Sequence, residues 1–209
     1  MQERINEVWE KFLDGDKEAF AEIYNVFVDD LFRYGSKLCN DEELVKDVIH
    51  EVFLDLYLNR KNKKVFVTGL KFYLILALKR SLIRKIQRNR KNENLDVIES
   101  DLFETEYSIE EKLISEESLA EKNSKVKQAI DRLPRKQKET IYLRYNQGLK
   151  YEQVAEVLKI SVESARKQVY RAIKAIRDCL EDKDKGLILL LLLKRWRIPE
   201  NDGSFSLSF

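Results

Sequence analysis

The chain has 209 residues, with 39 lysines and arginines against 37 aspartates and glutamates, one histidine and two cysteines. Charged residues make up 36% of it, whereas glycine (6) and proline (2) are scarce. This composition favours a soluble all-α protein and excludes sandwich and barrel folds, because these need frequent turn residues. Cys39 and Cys179 lie far apart in the chain, so no metal site, cofactor or catalytic residue is predicted.

Three amphipathic helices are predicted in the first part of the chain. They cover residues 18–34, a stretch from Asp41 to about residue 56, and residues 70–89, and each repeats apolar residues at offsets of three and four. On the second helix, acidic residues follow at intervals of four opposite the apolar side, next to a histidine: Asp47, His50, Glu51 and Asp55. Three such helices predict a bundle with one acidic and one basic face.

Charge is segregated along the chain. Residues 56–92 contain twelve basic residues and no acidic one, residues 93–121 eleven acidic residues and one basic, and residues 122–185 seventeen basic and nine acidic. The acidic block lacks a sustained apolar period, which is typical of a flexible linker extended by self-repulsion. We therefore predict two small helical domains, 1–92 and 122–185, joined by the acidic linker 93–121 and followed by an apolar tail, 186–209.

The basic block 56–92 indicates a surface for a polyanion, because so many uncompensated positive charges seldom lie together otherwise. Phe66, Phe72 and Tyr73 lie within it. Aromatic rings among lysines and arginines suit stacking on unpaired bases, although packing in the core is an equally good use of them. The acidic stripe has two readings as well, a solvated surface or a contact surface for a partner.

Residues 149–177 carry the most specific pattern of the chain. A short helix over 151–158 is followed by a three-residue turn and a longer helix that begins at Val162. Ser161 is a favourable N-cap, and the small residues Ala155 and Ala165 allow the two helices to cross closely, as in a helix-turn-helix. The outward face of the longer helix suits base edges near its start and phosphates further along. An ordinary helical hairpin is the alternative.

The two ends of the chain indicate where the protein acts. The first ten residues are charged where a secretory signal would be apolar, so we expect a cytoplasmic protein. The apolar run Leu187–Leu193 would span about 10 Å as a helix, a third of a bilayer core, so no membrane span is predicted. We expect this run to cover apolar surface within the protein or to contact a regulator.

Over about residues 12–180 the chain resembles sigma factors of the extracytoplasmic function type, the smallest class of the sigma-70 family. Residues 15–24 resemble the opening helix of that family. Residues 47–57 (DVIHEVFLDLY) are similar to its core-polymerase-binding helix, usually written D-x-x-Q-E-x-F-x-x-L, with His50 in place of glutamine. Leu133-Pro134, residues 151–161 and the helix after them resemble the region that reads the −35 promoter element.

The resemblance implies a role for each surface. Core RNA polymerase would bind Asp47, His50, Glu51 and Phe53. The −10 promoter element would bind Lys71, Phe72, Tyr73, Lys79, Arg80 and Arg84. The −35 element would bind Ser161, Glu163, Ser164, Arg166, Lys167 and Arg171. The acidic linker would thread through polymerase toward the RNA exit path, and an anti-sigma factor is expected as a further partner.

The resulting hypothesis is a sigma factor, not an enzyme, that directs promoter-specific initiation by reading the −35 element and by melting and capturing the −10 element. The alternative is a stand-alone helix-turn-helix regulator that binds duplex DNA through the second domain and a ligand through the first. It predicts a concave apolar pocket and a dimer on palindromic sites. A nuclease with metal on Asp47, Glu51 and Asp55 is disfavoured, because intervals of four place carboxylates in a line and not around an ion.

Overall fold

A computed structural model describes residues 2–61, 69–89, 103 and 126–178. All regular structure among these residues is helical, which confirms the all-α prediction. The chain divides into two compact units, Met1–Glu104 and Thr105–Phe209, and their boundary falls inside the predicted linker. That linker, apart from Phe103, lies outside the described residues, as do Phe66, Cys179 and the leucine run 187–193.

Four helices build the described part of the first unit: α1 (Gln2–Asp14), α2 (Lys17–Leu38), α3 (Glu42–Leu58) and α4 (Leu70–Asn89). Aspartate side chains cap two of them. The Asp16 carboxylate accepts the backbone N–H groups of Glu18 and Ala19 at 2.7 and 3.0 Å, and that of Asp41 accepts the Leu44 N–H at 3.0 Å. α2 packs against the other three helices, and α3 also packs against α4.

Helix α1 adds a fourth element to the three helices predicted for this unit. Its Trp9 and Phe12 are buried, and the Phe12 ring lies 6.0 Å from that of Phe20 on α2. α2 and α3 approach closely at Gly35, where a Cβ atom would lie only 2.6 Å from Cγ1 of Val45. A glycine is therefore needed at this contact to keep the bundle tight.

Phe103 is buried, although the residues around it in the sequence are mostly acidic. It is 2% exposed, and its ring centroid lies 6.4 Å from that of Tyr34, which is fully buried on α2. The core of the first unit therefore extends beyond residue 92, where the sequence predicts the end of the first domain.

The second unit begins, among the described residues, with a helical stretch over 126–131. It continues with α5 (Arg135–Ile141), a π-helical turn (Tyr142–Asn146), α6 (Tyr151–Leu158) and α7 (Val162–Asp178). α7 packs against both α5 and α6. One cluster of buried apolar residues joins the first of these elements to the last: Ala129, Ile130, Leu133, Ile141, Ala172 and Ile176.

The turn between α6 and α7 is the predicted segment 159–161. Lys159 adopts the left-handed conformation (φ +52°, ψ 44°), and its N–H donates to the Glu156 carbonyl at 3.3 Å. The Ile160 N–H donates to the Ala155 carbonyl at 3.0 Å, the pattern of a Schellman helix end. Ala155 and Ala165 are both buried. The predicted helix-turn-helix is thus confirmed.

In the described part of the chain, no helix is long and apolar enough to cross a membrane. The same residues contain no group of three or more histidine, cysteine, aspartate or glutamate side chains that could hold a metal ion.

Candidate nucleic-acid interface and partner-binding surface

The outward side of α7 is a strip of mostly basic side chains. The other side of the helix buries Ala165, Val169, Ala172 and Ile176 against the unit, so the exposed strip cannot turn inward without losing this packing. The strip consists of Glu163, Arg166, Lys167, Tyr170, Arg171, Lys174 and Arg177. Five basic side chains outnumber the two exposed acidic ones, Glu163 and Asp178, which lie at the two ends of α7. This gives α7 the electrostatic character of a nucleic-acid-binding helix.

The residues predicted to bind the −35 element lie at the first turns of α7. Ser161 is exposed, and its hydroxyl accepts the Ser164 N–H at 3.1 Å, so it caps the helix. Glu163, Arg166, Lys167 and Arg171 are exposed and Ser164 is half-buried. Tyr170, which is 68% exposed, and Lys174 lie in the same strip, as the helical period of the sequence predicts.

Arg166 has a defined environment. Its guanidinium lies over the ring of Tyr151, the first residue of α6, with Cζ 5.1 Å from the ring centroid. The Arg144 guanidinium lies over the same ring at 4.6 Å, and Nη1 of Arg144 donates to the Leu149 carbonyl at 2.9 Å. Beside this group, burial raises the pKa of Tyr145 to about 12, the Tyr151 phenol adding to the shift and Arg144 opposing it. Arg166 is thus the member of this cluster that extends from the exposed strip.

The basic surface of the first unit lies on α4. Arg80, Arg84 and Arg88 are exposed and follow at intervals of four, so they share one side of the helix. Tyr73 lies on that side seven residues before Arg80; it is half-buried, and its hydroxyl donates to Oδ2 of Asp55 at 3.3 Å. Phe72 is half-buried as well. An aromatic ring followed by three guanidinium groups therefore lines one edge of the unit.

Two lysines predicted to bind the −10 element have other environments. Lys79 is 5% exposed, and the prediction that it reaches water is wrong, because α4 also buries Ile75 and Ile83 one turn on either side of it. The buried side of α4 is thus wider than its leucine stripe suggests. Lys71 is half-buried, and its ammonium lies 2.8 Å from Oδ2 of Asp30 on α2, so its charge is already paired.

The acidic face of α3 also carries exposed leucines. Asp47, Glu51, Leu54 and Leu58 follow at offsets of four, three and four, which places them on one side of the helix, with His50 beside them. All of these residues are exposed, and the two leucines are large hydrophobic side chains with 56% and 66% of their area in solvent. The sequence reasoning missed them, although two leucines among outward acidic positions were a readable signal. Exposed apolar side chains inside a charged rim are typical of a protein-binding surface.

Phe53, the fourth residue predicted to bind polymerase, lies inside the bundle. It is 1% exposed, and its ring centroid lies 4.7 Å from that of Tyr24. The Tyr24 ring in turn lies 6.2 Å from the imidazole of His50. Phe53 is therefore not available for direct contact with a partner. It packs instead against the Tyr24 ring, which lies next to His50.

Comparison with known proteins assigns the helix-turn-helix unit to a family of sigma factor domains. The sequence profile of the family described as Sigma-70, region 4 matches residues 124–176. The chain is also 27% identical over 187 residues to the RNA polymerase sigma-H factor of Pseudomonas aeruginosa, a match that covers 86% of this chain and 95% of that protein. This chain is a sigma factor of the extracytoplasmic function type, in the sigma-70 family. The sigma factor is likewise 25% identical over 175 residues to the ECF RNA polymerase sigma factor SigW of Bacillus subtilis, covering 80% of this chain and 92% of SigW.

The extent of these matches bears on both units of the sigma factor. The region 4 match includes α5, α6 and nearly all of α7, and hence the exposed basic strip from Glu163 to Lys174. The matches to the two full-length sigma factors cover most of the chain and so include much of the first unit. The family resemblance inferred from motifs in both halves of the sequence is therefore confirmed.

Proposed function

We propose that this sigma factor binds core RNA polymerase through the exposed side of α3, reads the −35 element with α7, and separates and holds the strands of the −10 element with α4. Initiation chemistry belongs to polymerase, so no residue of this chain is assigned a catalytic role. The protein acts in the cytoplasm, with polymerase. The observation that carries the proposal is the exposed basic strip on the second helix of a helix-turn-helix that lies within a sigma region 4 match.

Reading of the −35 element rests on the first turns of α7. Arg166 and Lys167 extend from the exposed strip at the end of the helix that enters a DNA groove in helix-turn-helix proteins. A good bidentate contact between an arginine and a base contributes about 1–3 kcal/mol of discrimination. Arg171 and Lys174, further along the helix, are assigned to phosphates, where they add affinity without sequence preference. Tyr170 lies between these groups and is assigned an apolar contact with the groove.

Capture of the −10 element rests on the exposed side of α4. Unpairing and unstacking cost a few kcal/mol per step, whereas stacking of a base on an aromatic ring returns about 1–3 kcal/mol. Phe72 and Tyr73 supply rings at the start of the helix, and Arg80, Arg84 and Arg88 supply charges for the backbone of the separated strand. Lys71 and Lys79 are left out of this set because one is paired and the other is buried.

Binding to core polymerase rests on the side of α3 that faces solvent. Leu54 and Leu58 form an apolar centre, and Asp47, His50 and Glu51 precede it along α3 as a polar rim on one side. The Glu51 carboxylate in this rim accepts a hydrogen bond from the Lys85 ammonium of α4 at 2.6 Å. Such a centre excludes water from the rim contacts, which strengthens them. The anti-sigma partner and the path of the acidic linker toward the RNA exit channel stay predictions.

The alternative of a stand-alone regulator with a ligand-sensing first domain is not supported. Sigma factors match this chain across both units, which favours the sigma factor over the regulator. Among the described residues, the groove between α1, α2 and α4 is lined by six apolar residues and one charged residue, Glu22. A single carboxylate does not supply the several convergent polar groups that a ligand site needs.

Run-off transcription tests the proposal. Purified chain is mixed with core RNA polymerase and a pool of genomic promoter fragments, and defined transcripts should appear only when the chain is present. If the chain neither co-migrates with core polymerase nor directs any transcript, the proposal is wrong.

Two variants test the division of roles between the units. Charge reversal of Arg166 and Lys167 to glutamate should abolish initiation from promoters that need a −35 element and leave core binding intact. The control reverses Lys127 and Lys136, which are exposed in the same unit outside α7. It changes the net charge by the same amount and should retain initiation. Leu54→Glu should weaken core binding, whereas Val26→Glu, at a residue of matched exposure (57%) on α2, should not. Loss of core binding in the α7 variant would contradict the assignment.

A further inference from the structure

The sequence and the family resemblance assign Arg166 to DNA but leave Tyr151 without a role. Tyr151 is a half-buried residue at the start of α6, and two guanidinium groups lie over its ring. Arg144 approaches the ring centroid to 4.6 Å and is fixed by its hydrogen bond to the Leu149 carbonyl. Arg166 approaches to 5.1 Å. Arg144 and Tyr151 thus form a supported platform, and Arg166 rests on it.

The ring of Tyr151 restrains the Arg166 guanidinium more than an ion pair with a carboxylate does. The nearest carboxylate oxygen recorded for Arg166 is Oε1 of Glu152, at 4.0 Å, and both side chains are more than half exposed. A charge-assisted hydrogen bond is about 2.7–2.9 Å long, so this contact is a loose one. Lys167 differs, because its ammonium lies 2.6 Å from Oε1 of Glu163 and must leave that carboxylate to reach DNA.

We propose that Tyr151 is a positioning residue for Arg166: its ring holds the guanidinium, before DNA arrives, in the orientation that reads one base pair of the −35 element. The inference rests on the proposed function. An arginine held in advance does not lose its rotamer freedom on binding, and ordering such a side chain costs roughly two- to tenfold in affinity. The benefit falls on the base pair that Arg166 reads, because only a correctly aligned guanidinium makes the bidentate contact that distinguishes one base from another.

The test compares Tyr151→Leu, Tyr151→Phe, Arg166→Ala and the Tyr151→Leu/Arg166→Ala double variant. Each full-length chain is assembled with core polymerase, and initiation is measured on a promoter library in which every base of the −35 element is randomised. Arg166→Ala identifies the position that Arg166 reads, since preference is lost there. Tyr151→Leu should reduce the preference at that same position by about two- to tenfold and leave other positions unchanged. Tyr151→Phe should keep it, and the double variant should match Arg166→Ala because the two residues act as one unit.

Several outcomes would overturn the inference. A loss spread evenly over all positions in Tyr151→Leu would show a general structural role, and a loss in Tyr151→Phe equal to that in Tyr151→Leu would show that the hydroxyl and not the ring matters. The same positional loss in Glu152→Gln, with none in Tyr151→Leu, would assign the orientation to the ion pair. If the wild-type chain initiates nowhere in the library, the proposed function itself fails, which is a distinct result.

A measurement without DNA keeps the inference testable if Tyr151→Leu folds poorly. In the NMR spectrum of the full-length chain, the ring current of Tyr151 should shift the side-chain Nε–H signal of Arg166 upfield. The shift should persist in Tyr151→Phe and disappear in Tyr151→Leu. An Arg166 signal at its ordinary position in the wild-type chain would overturn the inference, since the ring would then not hold the guanidinium in solution.

Discussion

Lys159 is the described residue other than glycine that has a positive φ, and it lies in the turn that sets the angle between α6 and α7. The left-handed conformation costs a residue with a Cβ about 1–2 kcal/mol, and glycine avoids this cost. Glycine loses more backbone freedom on folding, by roughly 0.5–1 kcal/mol. Replacement by glycine should therefore raise the free energy of unfolding of the second unit by up to about 1 kcal/mol, or about 4–8 °C in Tm for a domain of this size.

The matched control is Lys159→Ala, which removes the same ammonium but keeps a Cβ. Lys159→Gly should be more stable than Lys159→Ala by up to about 1 kcal/mol, because glycine avoids the cost of the left-handed conformation but loses more backbone freedom on folding. Thermal and urea unfolding of the full-length chain, followed by far-ultraviolet circular dichroism, measures the difference. A glycine variant no more stable than the alanine variant would refute the reasoning and would mean that the turn relaxes away from φ +52° in solution.

Four further substitutions test the packing and capping described above. Ser161→Ala should lower the free energy of unfolding by about 1 kcal/mol through loss of the N-cap, and Ser161→Asn should restore it in urea titrations. Gly35→Val should lower the free energy of unfolding of the first unit by roughly 1–3 kcal/mol or more in the same titrations, because the added side chain pushes α2 away from α3. Gly69→Ala should lower it much less, since no atom lies within 4 Å of the added Cβ. Phe103→Ala should cost about 3–5 kcal/mol, and unchanged stability would show that its ring is dispensable to the core. The raised pKa of Tyr145 means that the folded chain holds the phenol proton more tightly than the unfolded chain, so stability should fall as pH rises from 10 to about 12, and Tyr145→Phe should lack this part of the fall.

Helix periodicity predicted most of the described fold because each buried stripe is repeated over several turns. The bounds 70–89 and 151–158 agree with α4 and α6, and the turn at 159–161 agrees as well. α1 was not predicted, although Trp9 and Phe12 follow at an offset of three. Phe103 gave no periodic signal, because one ring in an acidic block has no neighbours that repeat with it.

The sequence predicts the candidate site only to the extent that it predicts which side of each helix faces solvent. Period alone cannot say how wide the buried side of a helix is, and Lys79 was misplaced because α4 packs against both α2 and α3. Phe53 lies on the buried side of α3, where the period places it, and it was assigned to polymerase only through the family resemblance. Pairing across helices is also invisible in sequence. The bond between Lys71 and Asp30, and the two guanidinium groups over Tyr151, depend on three-dimensional contacts between separate elements.

The packing of Phe103 against Tyr34 gives the first unit a late closing step during synthesis. A nascent chain emerges from its N-terminus, so α1 to α4 leave the ribosome before the ring that covers Tyr34. Once residue 103 has emerged, every described core residue of the first unit is outside the ribosome, whereas α5 to α7 emerge later. The first unit can thus complete its described core before the helix-turn-helix of the second unit has left the ribosome.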